Sequence, residues 1–393
     1  MDLFFISDNR TDSNWGCRAT SLALSESLRS IHTISGTMWK ASKIAATKLD
    51  GMLNWNPEQE AHKFFDLARQ NEDFAAIIEN FKKADAAVIN GEGDMIFSSS
   101  RKTLNFLLVL MDVARMLGKP VFYINAMVSD CPQTGRDPRV FDLCMEALRG
   151  CAGIMVRDPF SFRLLQKSDP DLPAVFAPDA LFNWPLTAGL ADPTLPINID
   201  TDLPFGYEKE FGRYNFKSDY ICIGGSSLAK TLSPGALEAF YRAILKRIRR
   251  MDMPVYLVEC SQGDKFLRDI ALNLRVPLIP KHIPLAAALK ILANARVFVS
   301  GRYHPSIMAS LGGVPFVSLS SNSHKMRSLQ KVMGSKKPSE HRMVTRHKNC
   351  DAILEEASCA LHVTEGVRHA TRRKTRDLGA KFSTTLQQLL GNI

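Results

Sequence analysis

The feature that most constrains the fold is a repeated alternation of short apolar runs with longer segments of helical periodicity. Leu3 to Ser7, Ala86 to Asn90, Val121 to Asn125, Gly153 to Val156 and Ala174 to Phe176 read as buried strands. Between them, Cys17 to Ile31, Asn71 to Ala84, Ser98 to Leu117, Val140 to Arg149 and Pro159 to Gln166 read as helices. Phe74, Ile77, Ile78 and Phe81 recur at helical spacing, and Ser98, Ser99 and Ser100 are cap candidates for the helix that follows them. Such alternation predicts a parallel sheet covered by helices on both faces.

The pattern breaks between Trp184 and Tyr220, where Pro185, Pro193, Pro196 and Pro204 interrupt it and Tyr207 to Lys217 mixes aromatic with charged residues. A linker is the simplest reading of this stretch. The alternation then restarts. Strands are expected at Tyr220 to Ile223, Val255 to Val258, Val276 to Ile279, Val297 to Ser300 and Val314 to Leu319. Helices are expected at Pro234 to Arg250, Gly263 to Leu274, Leu285 to Ala293, Pro305 to Leu311 and Lys325 to Met333, with a polar loop over Ser335 to His347. A closing helix from about Thr371 to Leu390 carries an apolar stripe of Leu378, Phe382, Leu386, Leu389 and Leu390, the signature of a helix that packs back onto the first domain. The expectation is therefore an α/β protein with two Rossmann-like, doubly wound domains facing across a cleft. Residues 1–200 form the first, with the helix at about 366–393 returning to it, and residues 215–365 form the second.

Composition sets outer limits. A chain of 393 residues, 45% hydrophobic and 23% charged, has apolar material for two cores. Fifty Lys and Arg against forty Asp and Glu give a net charge of +10, which favours anionic partners. The basic concentration from Arg368 to Lys381 reads first as a solvated helix face. No nucleic-acid motif is present, so no nucleic-acid partner is expected. The eight cysteines form no CxxC pair and read as reduced thiols. The start MDLFFISDNR lacks the basic opening of a signal peptide, and no run approaches the ~20 apolar residues of a membrane span. A cytoplasmic location is expected.

Ligands of open α/β sheets collect where strands hand over to helices. The strongest such loop is Gly301-Arg302-Tyr303-His304-Pro305-Ser306. A helix N-terminus attracts anions, Arg302 offers a planar fork for phosphate or carboxylate, and His304 can move a proton near neutral pH. A purely structural reading has Arg302 paired with an acid and His304 capping the helix. The next loop, Ser320 to Lys325, places His324 and Lys325 at another helix start, with Asn322 or Ser323 as alternative cap residues. In the first half, Arg157 follows a strand and Asp158 is a cap candidate, an ion pair between the two being the plain alternative. Gly91-Glu92-Gly93-Asp94 also reads as a strand-end loop, with glycines that admit a ligand and carboxylates able to bind hydroxyls or take a proton. Gly224-Gly225-Ser226-Ser227 is similar but is no P-loop, since no Gly-Lys-Ser/Thr follows. Asn14-Trp15-Gly16-Cys17 opens the first helix. HExxH, the G-x-S-x-G elbow and a complete dinucleotide fingerprint are all missing, which argues against zinc proteases, serine hydrolases and NAD enzymes.

These motifs, taken in order, resemble the polysaccharide pyruvyl transferase family. The matching stretches are Asn14-Trp15-Gly16, Gly91-Glu92-Gly93, Val156-Arg157-Asp158, Ala177-Pro178-Asp179-Ala180, Ser300-Gly301-Arg302-Tyr303-His304, and Gly313-Val314-Pro315-Phe316-Val317 running on to His324-Lys325. Cys17 stands where an aspartate is expected, and Glu92 where a third glycine is more usual.

The resemblance implies a GT-B-like fold and transfer of a pyruvyl group from phosphoenolpyruvate to a sugar, as a ketal across two hydroxyls, with release of phosphate. The acceptors it implies are a capsular polysaccharide unit, a lipid-linked oligosaccharide or a cell-wall sugar. Arg157, Arg302 and His304 are expected to hold the donor, with Tyr303, His324, Lys325, Asn14, Gly91, Gly93 and Asp179 lining the binding sites. His304 is the expected general acid, and Asp94, then Glu92, then Asp179 the expected bases. The first domain takes the acceptor side and contributes Arg157, and the second takes the donor anion. The scheme needs no metal and no cofactor beyond the donor substrate. Arg372, Arg373 and Lys374 are candidates for peripheral contact with an anionic membrane. The alternatives are a glycosyltransferase using a nucleotide sugar, for which Glu259 is the candidate ribose-binding carboxylate, and a non-catalytic glycan or anion binder.

Overall fold

The computed structural model describes residues 1–39, 54–203 and 214–391. Pro204 and the part of the Tyr207 to Lys217 stretch up to Arg213 lie outside the described residues. The chain divides into two compact units: Met1–Thr11 with Ser21–Ala180 and Lys381–Ile393, and Asp12–Thr20 with Leu181–Ala380.

The first unit holds β1 (Asp2–Asp8), β2 (Thr33–Trp39), β3 (Ala86–Phe97), β4 (Val121–Asp130), β5 (Gly153–Val156) and β6 (Ala174–Phe176). They form a parallel sheet in the order β2-β1-β3-β4-β5-β6. Successive residues of each central strand point to opposite faces, and both faces are apolar. Phe4, Ile6, Ala87, Ile89, Val121 and Tyr123 face one core, while Leu3, Phe5, Ala86, Val88, Phe122 and Ile124 face the other. The second core is completed by Phe382, Leu386 and Leu390 at the end of the long helix Glu365–Leu390.

The second unit holds β7 (Ile221–Ser226), β8 (Val255–Val258), β9 (Leu278–Ile279), β10 (Val297–Gly301) and β11 (Phe316–Ser318), parallel and ordered β11-β10-β7-β8-β9. Ile221, Ile223, Leu257, Val297, Val299 and Val317 supply its core. Each sheet reverses its direction of growth once, between β1 and β3 in the first unit and between β7 and β10 in the second. Those switch points are where open α/β sheets leave a crevice for ligands.

Several details differ from the sequence expectations. The division falls at Ala180/Leu181 instead of near residue 200, and Asp12–Thr20 joins the second unit. Phe182 explains part of this, because its carbonyl lies 2.4 Å from where a Cβ on Gly379 would sit, which joins the stretch after β6 to the second unit. β3 does not stop at Asn90: Gly91-Glu92-Gly93-Asp94 lies inside it, with a register shift between Glu92 and Met95. The helix after it begins at Lys102, and its cap residue Arg101 makes no side-chain cap bond. Ser98 Oγ instead bonds Ser100 Oγ. Edge strand β2 and the helices Pro57–Ala68 and His347–Leu361 were not expected. Among the described residues no helix is long and apolar enough to cross a membrane. All eight cysteines are free.

Candidate active site

In the second unit β10 ends at Gly301, and the helix Tyr303–Leu311 starts two residues later with Arg302 as its N-cap. Arg302 extends along the switch point. Its Nε and Nη2 donate to one oxygen of Asp264, Oδ1, at 3.1 and 2.7 Å. Asp264 is fully buried, whereas the Arg302 side chain keeps 15% of its surface. Burial pushes the Asp264 carboxyl above the usual carboxylate range, while the Arg302 charge and hydrogen bonds pull against it. Ser261 Oγ donates to the second oxygen at 3.3 Å. Gly225 makes the pair possible: a Cβ there would lie 1.8 Å from Asp264 Oδ1.

His304 follows in the first turn, 7% exposed, its ring edge-on to Tyr303 with centroids 5.2 Å apart. Gly16 gives it room, since a Cβ on Gly16 would stand 2.6 Å from His304 Cβ and 2.8 Å from Nδ1. Asn14 spends its side-chain oxygen on the N–H groups of Gly16 and Cys17, as an N-cap. Trp15 anchors that segment through its indole N–H to the Lys281 carbonyl at 2.7 Å and its backbone N–H to the Cys260 carbonyl at 3.0 Å.

The loops after β7 and β11 are stitched together beside Arg302. Ser226 Oγ donates to the Ser320 carbonyl at 2.5 Å, and Ser227 Oγ to Asn322 Oδ1 at 2.9 Å. Lys325 Nζ donates to the same Asn322 oxygen at 2.8 Å. Neither Asn322 nor Ser323 caps the next helix; His324 occupies that position without a side-chain cap bond. The Ser226 and Ser227 hydroxyl protons are spent on this stitching, so the groups at the β7/β10 switch point suited to an anion are the Arg302 guanidinium and the Lys325 ammonium.

A family model for polysaccharide pyruvyl transferases matches residues 14–323. The chain belongs to that family. No curated relative matches. Among solved structures, the UDP-GlcNAc 2-epimerase from Neisseria meningitidis bound to UDP-GlcNAc is 13% identical with a TM-score of 0.60, covering 100% of both chains. The UDP-GlcNAc 2-epimerase from Methanocaldococcus jannaschii is 12% identical with a TM-score of 0.56, covering 97% of this chain and all of its own. The spinosyn rhamnosyltransferase SpnG is 13% identical with a TM-score of 0.50, again over 100% of both chains. These likenesses bear on the fold, two Rossmann-like units of the GT-B kind.

In the first unit of this pyruvyl transferase family member, Arg157 follows β5 and pairs with Asp179 instead of the adjacent Asp158. Its Nη1 lies 2.9 Å from Asp179 Oδ2, and the two side chains are 3% and 0% exposed. Asp158 caps the next helix by accepting from the N–H groups of Phe160 and Ser161, both at 2.9 Å. Glu92 is buried and adopts a left-handed backbone with φ of 37°, the conformation that makes glycine the easier residue there. Asn9 Nδ2 donates to Glu92 Oε1 at 2.5 Å and Asn90 Nδ2 to the same oxygen at 3.5 Å. Asn125 continues the network with a 3.0 Å bond to Asn90. Ser7 and Asn125 also have positive φ, 60° and 51°, so the neighbouring strands β1, β3 and β4 each carry one strained non-glycine residue beside these polar groups. Gly91 faces the Tyr123 ring and Ala126, and Gly93 lies toward Arg157 Nη2, its carbonyl oxygen accepting from Arg101 Nη2 at 3.0 Å. Asp94 is partly exposed.

The sequence reading missed Asp264, Asn9, Asn90 and Asn125. Asn9, Asn90 and Asn125 each carried a local signal, as polar residues at or just past the end of an expected strand, whereas Asp264 carried none. Glu259, the candidate ribose-binding carboxylate, is 0% exposed and its Oε2 is held by Arg268 at 2.9 Å. Arg372 is likewise occupied, its guanidinium bonded to Glu365 and to the Gly312 carbonyl, while Arg373 and Lys374 are exposed. A separate cavity of about 330 Å³ in the first unit lies at the amino ends of β4 and β5, between Leu108, Met111, Asp112, Glu146 and Cys151, remote from the switch point.

Proposed function

We propose that this transferase moves a pyruvyl group from phosphoenolpyruvate to a pair of sugar hydroxyls, forming a ketal in cell-surface glycan biosynthesis. The observation that supports it most is Arg302, held by one edge against Asp264 at the β7/β10 switch point and at a helix N-terminus. Phosphoenolpyruvate carries a phosphate and a carboxylate on three carbons and needs directed cations. Arg302 and Lys325 are the cations this reading assigns to it in the second unit.

The chemistry balances without a metal or redox partner. One acceptor hydroxyl adds to C2 while C3 takes a proton, for which His304 is the acid. The hydroxyl's own proton passes to a carboxylate. Asp94 and Glu92 are the carboxylates this reading assigns to that role, Asp179 being paired with Arg157. Cleavage of the C2–O bond then expels phosphate with its electron pair, and the second hydroxyl closes the ketal and gives up its proton. Glu92, with one oxygen held by Asn9, is oriented for hydroxyl chemistry in the first unit. The buried, Arg268-bound state of Glu259 gives no support to the nucleotide-sugar alternative.

The test is incubation of the protein with phosphoenolpyruvate and a panel of reducing-end-labelled bacterial surface oligosaccharides, followed by mass spectrometry and phosphate assay. Pyruvylated product with stoichiometric phosphate supports the reading. Glycosyl transfer from a UDP- or GDP-sugar, with no pyruvylated product, refutes it.

A further inference from the structure

Asp264 lies outside the family motifs, yet it fixes the guanidinium on which the donor reading depends. Both Nε and Nη2 of Arg302 converge on its Oδ1, which locks one edge of the fork. No group among the described residues accepts from Nη1, and the side chain remains 15% exposed. Two glycines clear space for the pair. A Cβ on Gly225 would meet Asp264 Oδ1 at 1.8 Å, and one on Gly263 would meet Arg302 Nη2 at 2.8 Å. A buried carboxylate so placed does two things to an incoming anion. It aims the outer edge of the guanidinium, and its negative charge offsets part of the positive charge the anion feels.

We propose that Asp264 is a positioning residue that aims Arg302 and moderates its grip on anions, so that the product phosphate can leave. This rests on Arg302 being the donor clamp. The substitution Asp264→Asn retains an oxygen that accepts from Nε and Nη2 but removes the opposing charge. A carboxylate about twice as far from the anion as the guanidinium offsets roughly half of the attraction. Its removal is therefore expected to lower KM for phosphoenolpyruvate and Ki for inorganic phosphate together by about tenfold. It is also expected to lower kcat, because phosphate leaves more slowly.

The experiment measures KM, kcat, phosphate Ki and phosphoenolpyruvate Kd for the wild type, Asp264→Asn and Arg302→Ala. Tighter phosphate with a lower kcat in Asp264→Asn supports the proposal. Unchanged or weaker affinity for both anions in a folded Asp264→Asn overturns it while leaving the donor reading intact, provided Arg302→Ala has lost phosphoenolpyruvate binding. If Arg302→Ala binds phosphoenolpyruvate as the wild type does, the donor reading itself fails. A measurement on the unaltered protein guards against misfolding of the variant. In a nitrogen-15 correlation spectrum, the Arg302 Nε–H, assigned by its absence in Arg302→Lys, should exchange slowly and persist when phosphate is added. An Nε–H that exchanges as fast as a solvent-exposed arginine overturns the proposal.

Discussion

Gly225→Ala is predicted to be among the most damaging alanine substitutions in the second unit, although it adds one methyl group. The new Cβ would fall 1.8 Å from Asp264 Oδ1 and 2.6 Å from Cγ, well inside any real contact distance. The backbone of β7 cannot withdraw easily, because it is hydrogen-bonded between β8 and β10. The carboxylate must move instead, away from an Arg302 that is itself largely enclosed. Overpacking costs roughly 1–3 kcal/mol, and disrupting a buried ion pair roughly 3–5 kcal/mol. The two overlap, so a loss of about 3–5 kcal/mol is expected, or roughly 6–20 °C in Tm for a unit of this size. Calorimetric unfolding measures it, with Gly235→Ala as the internal comparison. Gly235 sits exposed in the first turn of the helix Pro234–Ile248 with no atom within 4 Å of a Cβ, so that change should be neutral or slightly stabilising. If Gly225→Ala unfolds within about 0.5 kcal/mol of the wild type, Asp264 does not occupy the position assigned to it, and the account of the anion site fails with it.

The remaining predictions concern the frame around the site. In native protein a disulfide-exchange reagent should modify Cys359, which is exposed, and Cys131, whose thiol is pushed up by burial but drawn lower overall by hydrogen bonds with Thr134 and Gln133. Cys151, pushed up to about 12 by burial, and the other buried thiols should react only on unfolding, and rapid reaction of all eight would contradict the packing. Phe382→Ala removes a fully buried ring from the second core of the first unit and should cost about 3–5 kcal/mol by denaturant titration; a cost below 1 kcal/mol would mean the closing helix does not pack there. Arg157→Met should destabilise more than the double change Arg157→Met with Asp179→Leu, because the single change leaves the Asp179 carboxylate buried without its guanidinium. Equal losses in the two proteins would show that the ion pair is not formed.

The fold was legible because its strands are buried on both faces. β1, β4, β5, β7, β8 and β10 announce themselves as apolar runs, and Asp158, Asn71 and Ser233 cap the helices that follow their segments. The misses have specific causes. β2 alternates exposed and half-covered residues at a sheet edge, which leaves little apolar signal. Gly91 and Gly93 read as a turn, but the strand runs on through them because Tyr123 packs against Gly91 where a side chain would stand. Of the candidate site, individual residues such as Arg157, Asp179 and Arg302 were legible in the sequence, but their pairings were not. Arg157 and Arg302 follow strands and can be found from local pattern, whereas their partners Asp179 and Asp264 lie 22 and 38 residues away along the chain. No local spacing encodes a pairing that the sheet order creates. The same holds for the amides of Asn9, Asn90 and Asn125, which meet only because β1, β3 and β4 are neighbours.

The central claim is that Arg302 receives the anionic donor. Calorimetric titration with phosphoenolpyruvate, with UDP and GDP as controls, on the wild type and on Arg302→Ala tests it most directly. The account predicts saturable binding of phosphoenolpyruvate, none of either nucleotide, and loss of that binding in the variant. Binding of UDP or GDP in place of phosphoenolpyruvate, or phosphoenolpyruvate binding that survives in Arg302→Ala, would contradict it.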